Sequence, residues 1–287
     1  MKILVTGGSG FLGSHVADEL SNRGHKVVVF DIKKSKWIRA DQKMCVGSIL
    51  NFKSLEKAIK GSDIIFHFAA LADLDEAAHK PIQTVRKNIM GTVSILELAK
   101  KYGVKRFIYA SSIYSLSVQG GFYRCSKKAA EDYIEEYYKN YGLNFTIIRY
   151  GSLYGTRTNK SNGVYKIVND AIKNKQLQYV GSKKVIRKYI NVLDASKASA
   201  NTILPKYANK YVNITGERSY KVTYLLNTVS KFLKLPNRVK YLNASVTGHY
   251  IKSPKLFKLR TGINYRLSKY IKLKKGIYSL IKDIKKK

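Results

Sequence analysis

Residues 6–13, "TGGSGFLG", follow the apolar run "KILV" and open a stretch with helical apolar spacing; how this turn is read decides the fold. Gly7, Gly10 and Gly13 form a Gly-x-x-Gly-x-x-Gly series. Glycines at this spacing permit a tight turn, let the backbone approach a pyrophosphate and pack helix against strand. The helix N-terminus then offers N–H donors and the positive end of its dipole. Phe11 and Leu12, at the head of the helix, join the glycines in the expected cofactor contact. The next apolar run, "KVVVFD", ends at Asp31, 18 residues beyond Gly13 (31 − 13). A carboxylate there suits the paired hydroxyls of an adenosine ribose and repels a 2′-phosphate, which points to NAD over NADP. Lys33, Lys34 and Lys36 follow closely and act against that repulsion.

Working outward, "DIIFHFAA", "RFIYAS" and "FTIIRY" are further near-continuous apolar runs, separated by amphipathic stretches such as "FKSLEKAIK" and "IQTVRKNIMGTVSILELAKKYG". Continuous runs alternating with helices imply a parallel sheet covered on both faces. The fold expected is α/β, a Rossmann-type doubly wound parallel sheet over residues 1–150. A smaller, mainly substrate-binding region follows over 151–287, interleaved with the sheet. Within it lie a helix near "GVYKIVNDAIKN", an isolated strand "YVNIT", a helix in "TYLLNTVSKFLK" and a docked basic terminal helix, "GIYSLIKDIKKK", with Ile277, Leu280, Ile281 and Ile284 on one face.

Composition narrows the function classes. The 287 residues contain no apolar run long enough to span a membrane, no signal-peptide pattern and only Cys45 and Cys125, so neither a disulfide framework nor a metal cluster is expected, and a cytoplasmic setting is. The formal net charge of +36 suits a polyanion partner. Lys outnumbers Arg 42 to 12, however, and Ile, Asn and Tyr are abundant beside it, a pattern that base-composition drift explains better than nucleic-acid readout, which favours Arg.

"GGFYRCSKKAAEDYIEEYY" sets Tyr123 four residues before Lys127, on one face of the expected helix. Spacing alone carries little, since with 22 Tyr and 42 Lys chance predicts about three such pairs (22 × 42/287) and five occur. Of the five, only this one follows a strand that ends in hydroxyls, "YASSIYS", within the dinucleotide-binding half. Together with "VTGGSGFLGSH", "HFAA", "NIMGT", "YRCSK", "RYGSLYG" and "RKYINVLDAS", these features make the chain resemble, nearly end to end, the extended short-chain dehydrogenase/reductases of the NAD-dependent nucleotide-sugar epimerase/dehydratase family.

The resemblance implies a catalytic set of Ser112, Tyr123 and Lys127, with Ser111 as the alternative hydroxyl. It implies cofactor contacts from the glycines and Asp31, from Ser48 and Ile49 near the adenine, from Ala69, Ala70, Asn88 and Tyr150, and from Tyr123 and Lys127 themselves. Ser112, Ser152 and Arg187 are the implied substrate contacts, Arg187 as a diphosphate clamp. His67 reads as a satisfied core histidine, and Asn88 has a solvated helix position as its bland alternative. Tyr123 is expected to act as the base, its phenolate favoured by the Lys127 cation and the positive nicotinamide.

Dehydratases of this family carry an Asp-Glu pair after the hydroxyl residue, whereas Ile113 and Tyr114 stand here. The implied activity is therefore a nucleotide-sugar 4-epimerase acting on a UDP-sugar through a 4-keto intermediate, with a 4-ketoreductase as the nearest alternative and an RNA-binding or regulatory protein as the alternative of another class. Only ten residues, 113–122, separate Ser112 from Tyr123, and Ser152 and Ser48 replace a common Asn and Asp of the family. A homodimer through the helices holding "TVSILELAKKYG" and "AAEDYIEEYYKNY" is expected, and nucleic acid is not.

Overall fold

The structure is a computed structural model that describes residues 1–236, 239–242 and 262–286. In chain order the first half holds β1 (Lys2–Thr6), α1 (Phe11–Asn22), β2 (Lys26–Asp31), β3 (Gln42–Val46), α2 (Phe52–Ile59), β4 (Ile64–His67), α3 (Leu74–His79), α4 (Pro81–Val85), a π-helical turn (Arg86–Met90), α5 (Gly91–Lys101), β5 (Arg106–Ser112), a 3-10 turn (Ile113–Leu116), α6 (Gly121–Tyr141) and β6 (Phe145–Tyr150). Then come β7 (Ser152–Tyr154), α7 (Gly163–Asn174), β8 (Leu177–Val180), β9 (Ile186–Arg187), β10 (Tyr189–Asn191), α8 (Val192–Asn201), β11 (Lys210–Ile214), β12 (Tyr220–Lys221), α9 (Val222–Leu233), β13 (Val239–Leu242), β14 (Ile263–Asn264) and α10 (Leu273–Lys285).

Eight strands form one sheet in the order β14-β11-β6-β5-β4-β1-β2-β3, and all seven pairings are parallel. The expected doubly wound fold is therefore present. Parallel neighbours need crossover helices, which cover both faces; that is why β1, β2, β4 and β6 read as continuous apolar runs. One face packs Leu4, Ile65, Phe107 and Ile147 against α2, α5 and α6, and the other packs Ile3, Val29, Phe66 and Ile148 against α1 and α8. The strand order reverses between β1 and β4, which opens a crevice at their carboxyl ends.

One strand goes unread in the sequence, and one expectation requires correction. The segment "QKMCV", assigned no structure from sequence, is the edge strand β3; its largely half-exposed pattern hides it from an apolar-run search. "YVNIT" is not isolated, because β11 pairs with β6 and β14 and so extends the first-half sheet. A third apolar core, built from Tyr154, Val168, Leu225, Val229, Ile277 and Leu280 among others, belongs wholly to the second half. There α10 buries Ile277, Leu280, Ile281 and Ile284, the face read from its spacing; the final lysine of that segment, Lys287, lies outside the described residues, as do 237, 238 and 243–261 of the second half.

Candidate active site

The crevice begins at the turn after β1. Gly7 adopts φ +71°, and a Cβ there would stand 2.5 Å from the Ala69 amide nitrogen, while a Cβ at Gly13 would stand 2.3 Å from the Gly7 carbonyl oxygen. Only glycine fits either position. Gly10 precedes α1, whose N-terminus has no side-chain cap and no acid in its first turn, so nothing competes with a phosphate for its amides. Asp31, at the end of β2, reaches this loop: Oδ2 accepts from the Ser9 amide at 3.1 Å and Oδ1 from the Lys33 amide at 3.3 Å. Ser48 and Ile49 follow β3 on the same side; Ser48 Oγ accepts from the Leu50 amide at 3.2 Å, and Ile49 is buried where a Cβ on Gly91 would strike it. Tight backbone, free helix amides and a carboxylate at the second strand fit a dinucleotide of the NAD type.

Ala69 and Ala70 line the loop after β4, and Asn88 holds that loop in place. Its Oδ1 accepts from the Leu71 amide at 2.7 Å, and its Nδ2 donates to the Leu71 carbonyl at 3.0 Å and to Ser126 Oγ at 2.9 Å. Asn88 is 1% exposed, so the solvated alternative is excluded. His67 is a satisfied core residue, with Nδ1 2.7 Å from Thr6 Oγ1 and Nε2 3.1 Å from Thr92 Oγ1; burial, then the Lys127 charge, lowers it to about 3 and keeps it neutral.

Ser112 ends β5, and Tyr123 and Lys127 lie in the first two turns of α6, all three buried. The Ser112 hydroxyl accepts from the Tyr114 amide at 3.2 Å and lies near enough to the Tyr123 phenol to act on its acidity. Lys127 Nζ donates to the Ala110 carbonyl at 2.8 Å and lies 4.7 Å and 5.8 Å from the ring centres of Tyr109 and Tyr123. Ser111, the alternative hydroxyl, donates instead to Glu131 at 2.5 Å and is committed there. Around Tyr123, Leu71, Ala77 and Leu74 form an apolar wall, and the Tyr114 ring meets the Tyr123 ring edge-on, with centroids 6.5 Å apart.

One expectation changes at this level. Burial pushes the Tyr123 phenol up to about 12, with the Ser112 hydroxyl opposing it, whereas nearby cations were expected to dominate. The reason is that a buried phenolate loses more by leaving water than the Ser112 hydroxyl returns. Tyr150, an expected cofactor contact, pairs with Ser112 through its backbone and sends its hydroxyl into the core, 2.6 Å from Ser199 Oγ on α8. Ser152 starts β7 just beyond, and pairs with Tyr189. Arg187, two residues before Tyr189, is half-buried on β9 beside β12, where its charge acts on Tyr179. Glu131 and Ser126 were not singled out from sequence. Glu131 repeats the four-residue step from Tyr123 to Lys127, the one signal that marks it.

A family model described as the NAD dependent epimerase/dehydratase family matches residues 3–214. A putative UDP-glucose 4-epimerase of Methanocaldococcus jannaschii is 28% identical over 255 residues, covering 79% of this chain and 81% of its own length. A UDP-N-acetyl-alpha-D-glucosaminuronate decarboxylase of Bacillus cytotoxicus is 30% identical over 244 residues, covering 75% of each. Among solved structures, UDP-glucose 4-epimerase of Thermotoga maritima with UDP-glucose superposes with a TM-score of 0.87 at 26% identity, over 100% of this chain and 99% of that one.

Proposed function

The chain belongs to the NAD-dependent epimerase/dehydratase family of enzymes, and from that premise we propose that it is a nucleotide-sugar 4-epimerase acting on a UDP-hexose through a transient 4-keto sugar. One observation supports this: Ser112 at the end of β5 and Tyr123 and Lys127 at the start of α6 come close together, and the residues that follow Ser112 are Ile113 and Tyr114. Elimination of water needs an acid for the leaving hydroxyl and a base for the neighbouring carbon, and Ile113 and Tyr114 supply no carboxylate for either. Epimerisation needs only a base that returns its proton.

Gly7, Gly10, Phe11, Leu12, Gly13 and Asp31 would hold the adenosine diphosphate half of NAD, with Ser48, Ile49, Ala69, Ala70 and Asn88 shaping the walls. When bound, NAD supplies a reversible hydride acceptor. Ser112 Oγ aligns the sugar 4-hydroxyl, and Tyr123 Oη takes its proton as C4 gives up hydride. The Lys127 cation eases formation of the phenolate. With hydride restored to the other face of C4, Tyr123 would return the same proton to the oxygen, so that C4 is inverted and no proton or electron is consumed. Leu71, Leu74 and Ala77 keep water from the 4-keto sugar. Ser152 and Arg187 would meet the rest of the substrate, Arg187 as the diphosphate clamp because a guanidinium fork matches diphosphate oxygens.

Tyr123→Phe keeps the ring and removes the proton acceptor. NAD binding should survive, while UDP-hexose interconversion falls by roughly 10²-fold or more. Unchanged turnover would remove Tyr123 as the base.

A further inference from the structure

Tyr123, Lys127 and Glu131 are spaced by four residues on α6 and therefore stack on one face, one turn apart. Glu131 is 1% exposed. Its Oε1 accepts from Ser111 Oγ at 2.5 Å and from Arg149 Nε at 3.0 Å, and its Oε2 accepts from Arg149 Nη2 at 2.7 Å. The Ser115 hydroxyl lies 2.8 Å from both Glu131 Oε1 and the Ser112 carbonyl oxygen, with one proton to share between them. One carboxylate thus grips the chain on both sides of Ser112. An apolar pair could tie α6 to β6 as well as the Glu131–Arg149 ion pair does, so stability alone does not account for a charge buried here.

The groups that face Lys127 are Tyr123 and Glu131 on its own helix, Tyr109 on β5 and His67 on β4, with Arg149 of β6 behind Glu131. Burial lowers Lys127 to about 7, and the Glu131 charge acts in the opposite direction. In its working state the Tyr123–Lys127 pair carries one proton, and only the form with that proton on the amine leaves a phenolate to act as base. Coulomb attraction falls with distance, so a carboxylate one turn from Lys127 and two from Tyr123 favours the amine.

We propose that Glu131 is a positioning residue: it keeps the shared proton on Lys127 and fixes the segment that carries Ser112. This rests on Tyr123 being the base of the epimerase proposed above.

Glu131→Gln removes the charge and keeps the shape. Because Arg149 then loses its partner, the double variant E131Q/R149Q, whose two amides can pair, is made alongside it, and either variant that is folded by circular dichroism is read. Lysine ¹³Cε NMR, with Lys127→Met marking the resonance, follows Lys127 without substrate or cofactor. The expected result is a Lys127 midpoint at lower pH than in the wild type. With UDP-hexose, kcat should fall by roughly tenfold or more at nearly constant KM, and Glu131→Asp should restore part of it. A Lys127 titration that does not move in the folded variant overturns the proposal and leaves Glu131 as the structural partner of Arg149. A moved titration in a protein whose wild type turns over no UDP-hexose supports the Glu131–Lys127 link and sinks the epimerase reading instead.

Discussion

Asp31 is held beside the glycine turn by two backbone amides, and the proposal gives its carboxylate the adenosine ribose as partner. Asp31→Ala removes both a hydrogen-bond acceptor for paired hydroxyls and a charge that repels a 2′-phosphate. Titration calorimetry should show NAD binding weakened much more than NADP binding, and an equal effect on both would place Asp31 elsewhere. Such residues are legible because glycine spacing and a strand-ending acid are local patterns. Ser112 and Ser111 are not separable in that way. The partner that engages Ser111, Glu131, lies 20 residues along the chain and meets it only in the folded molecule. Tyr123 shows the same limit: sequence names the cation nearby but not the depth of burial, and burial sets the direction in which the phenol moves.

Within the helical run from Pro81 to Lys101, the π turn at Arg86–Met90 widens the backbone around Asn88. Asn88 there bridges the loop after β4 to α6 with three hydrogen bonds. Asn88→Ala should strand the buried Leu71 amide and carbonyl and cost about 1–3 kcal/mol. Urea denaturation measures that loss, NAD affinity should fall with it as the Ala69–Leu71 loop loosens, and unchanged stability would contradict the bridge. Central strands were readable because both of their faces are buried. β3 was not, since an edge strand with exposed Lys43 and Val46 carries no continuous apolar run. β11 showed its own strand character but not its neighbours, because β6 lies some sixty residues earlier and parallel pairing leaves no turn to announce it.

At the scale of the whole molecule, α5 and α6 pack side by side, and Tyr133, Tyr138 and Tyr141 stay 48%, 40% and 57% exposed along α6. That tyrosine belt supports a homodimer through these two helices, tyrosine being enriched at interfaces. Sedimentation at micromolar concentration should give a dimer, weakened by Tyr141→Glu, and a monomeric wild type would end the proposal. Among the described residues no helix is long and apolar enough to cross a membrane, and no group of acids, histidines and cysteines could hold a metal. The most direct test uses a UDP-hexose deuterated at C4. A closed cycle returns the label to C4 of the epimerised sugar, with none lost to water or to free cofactor. Deuterium appearing in free NADH would contradict a 4-epimerase and mark the enzyme as a dehydrogenase.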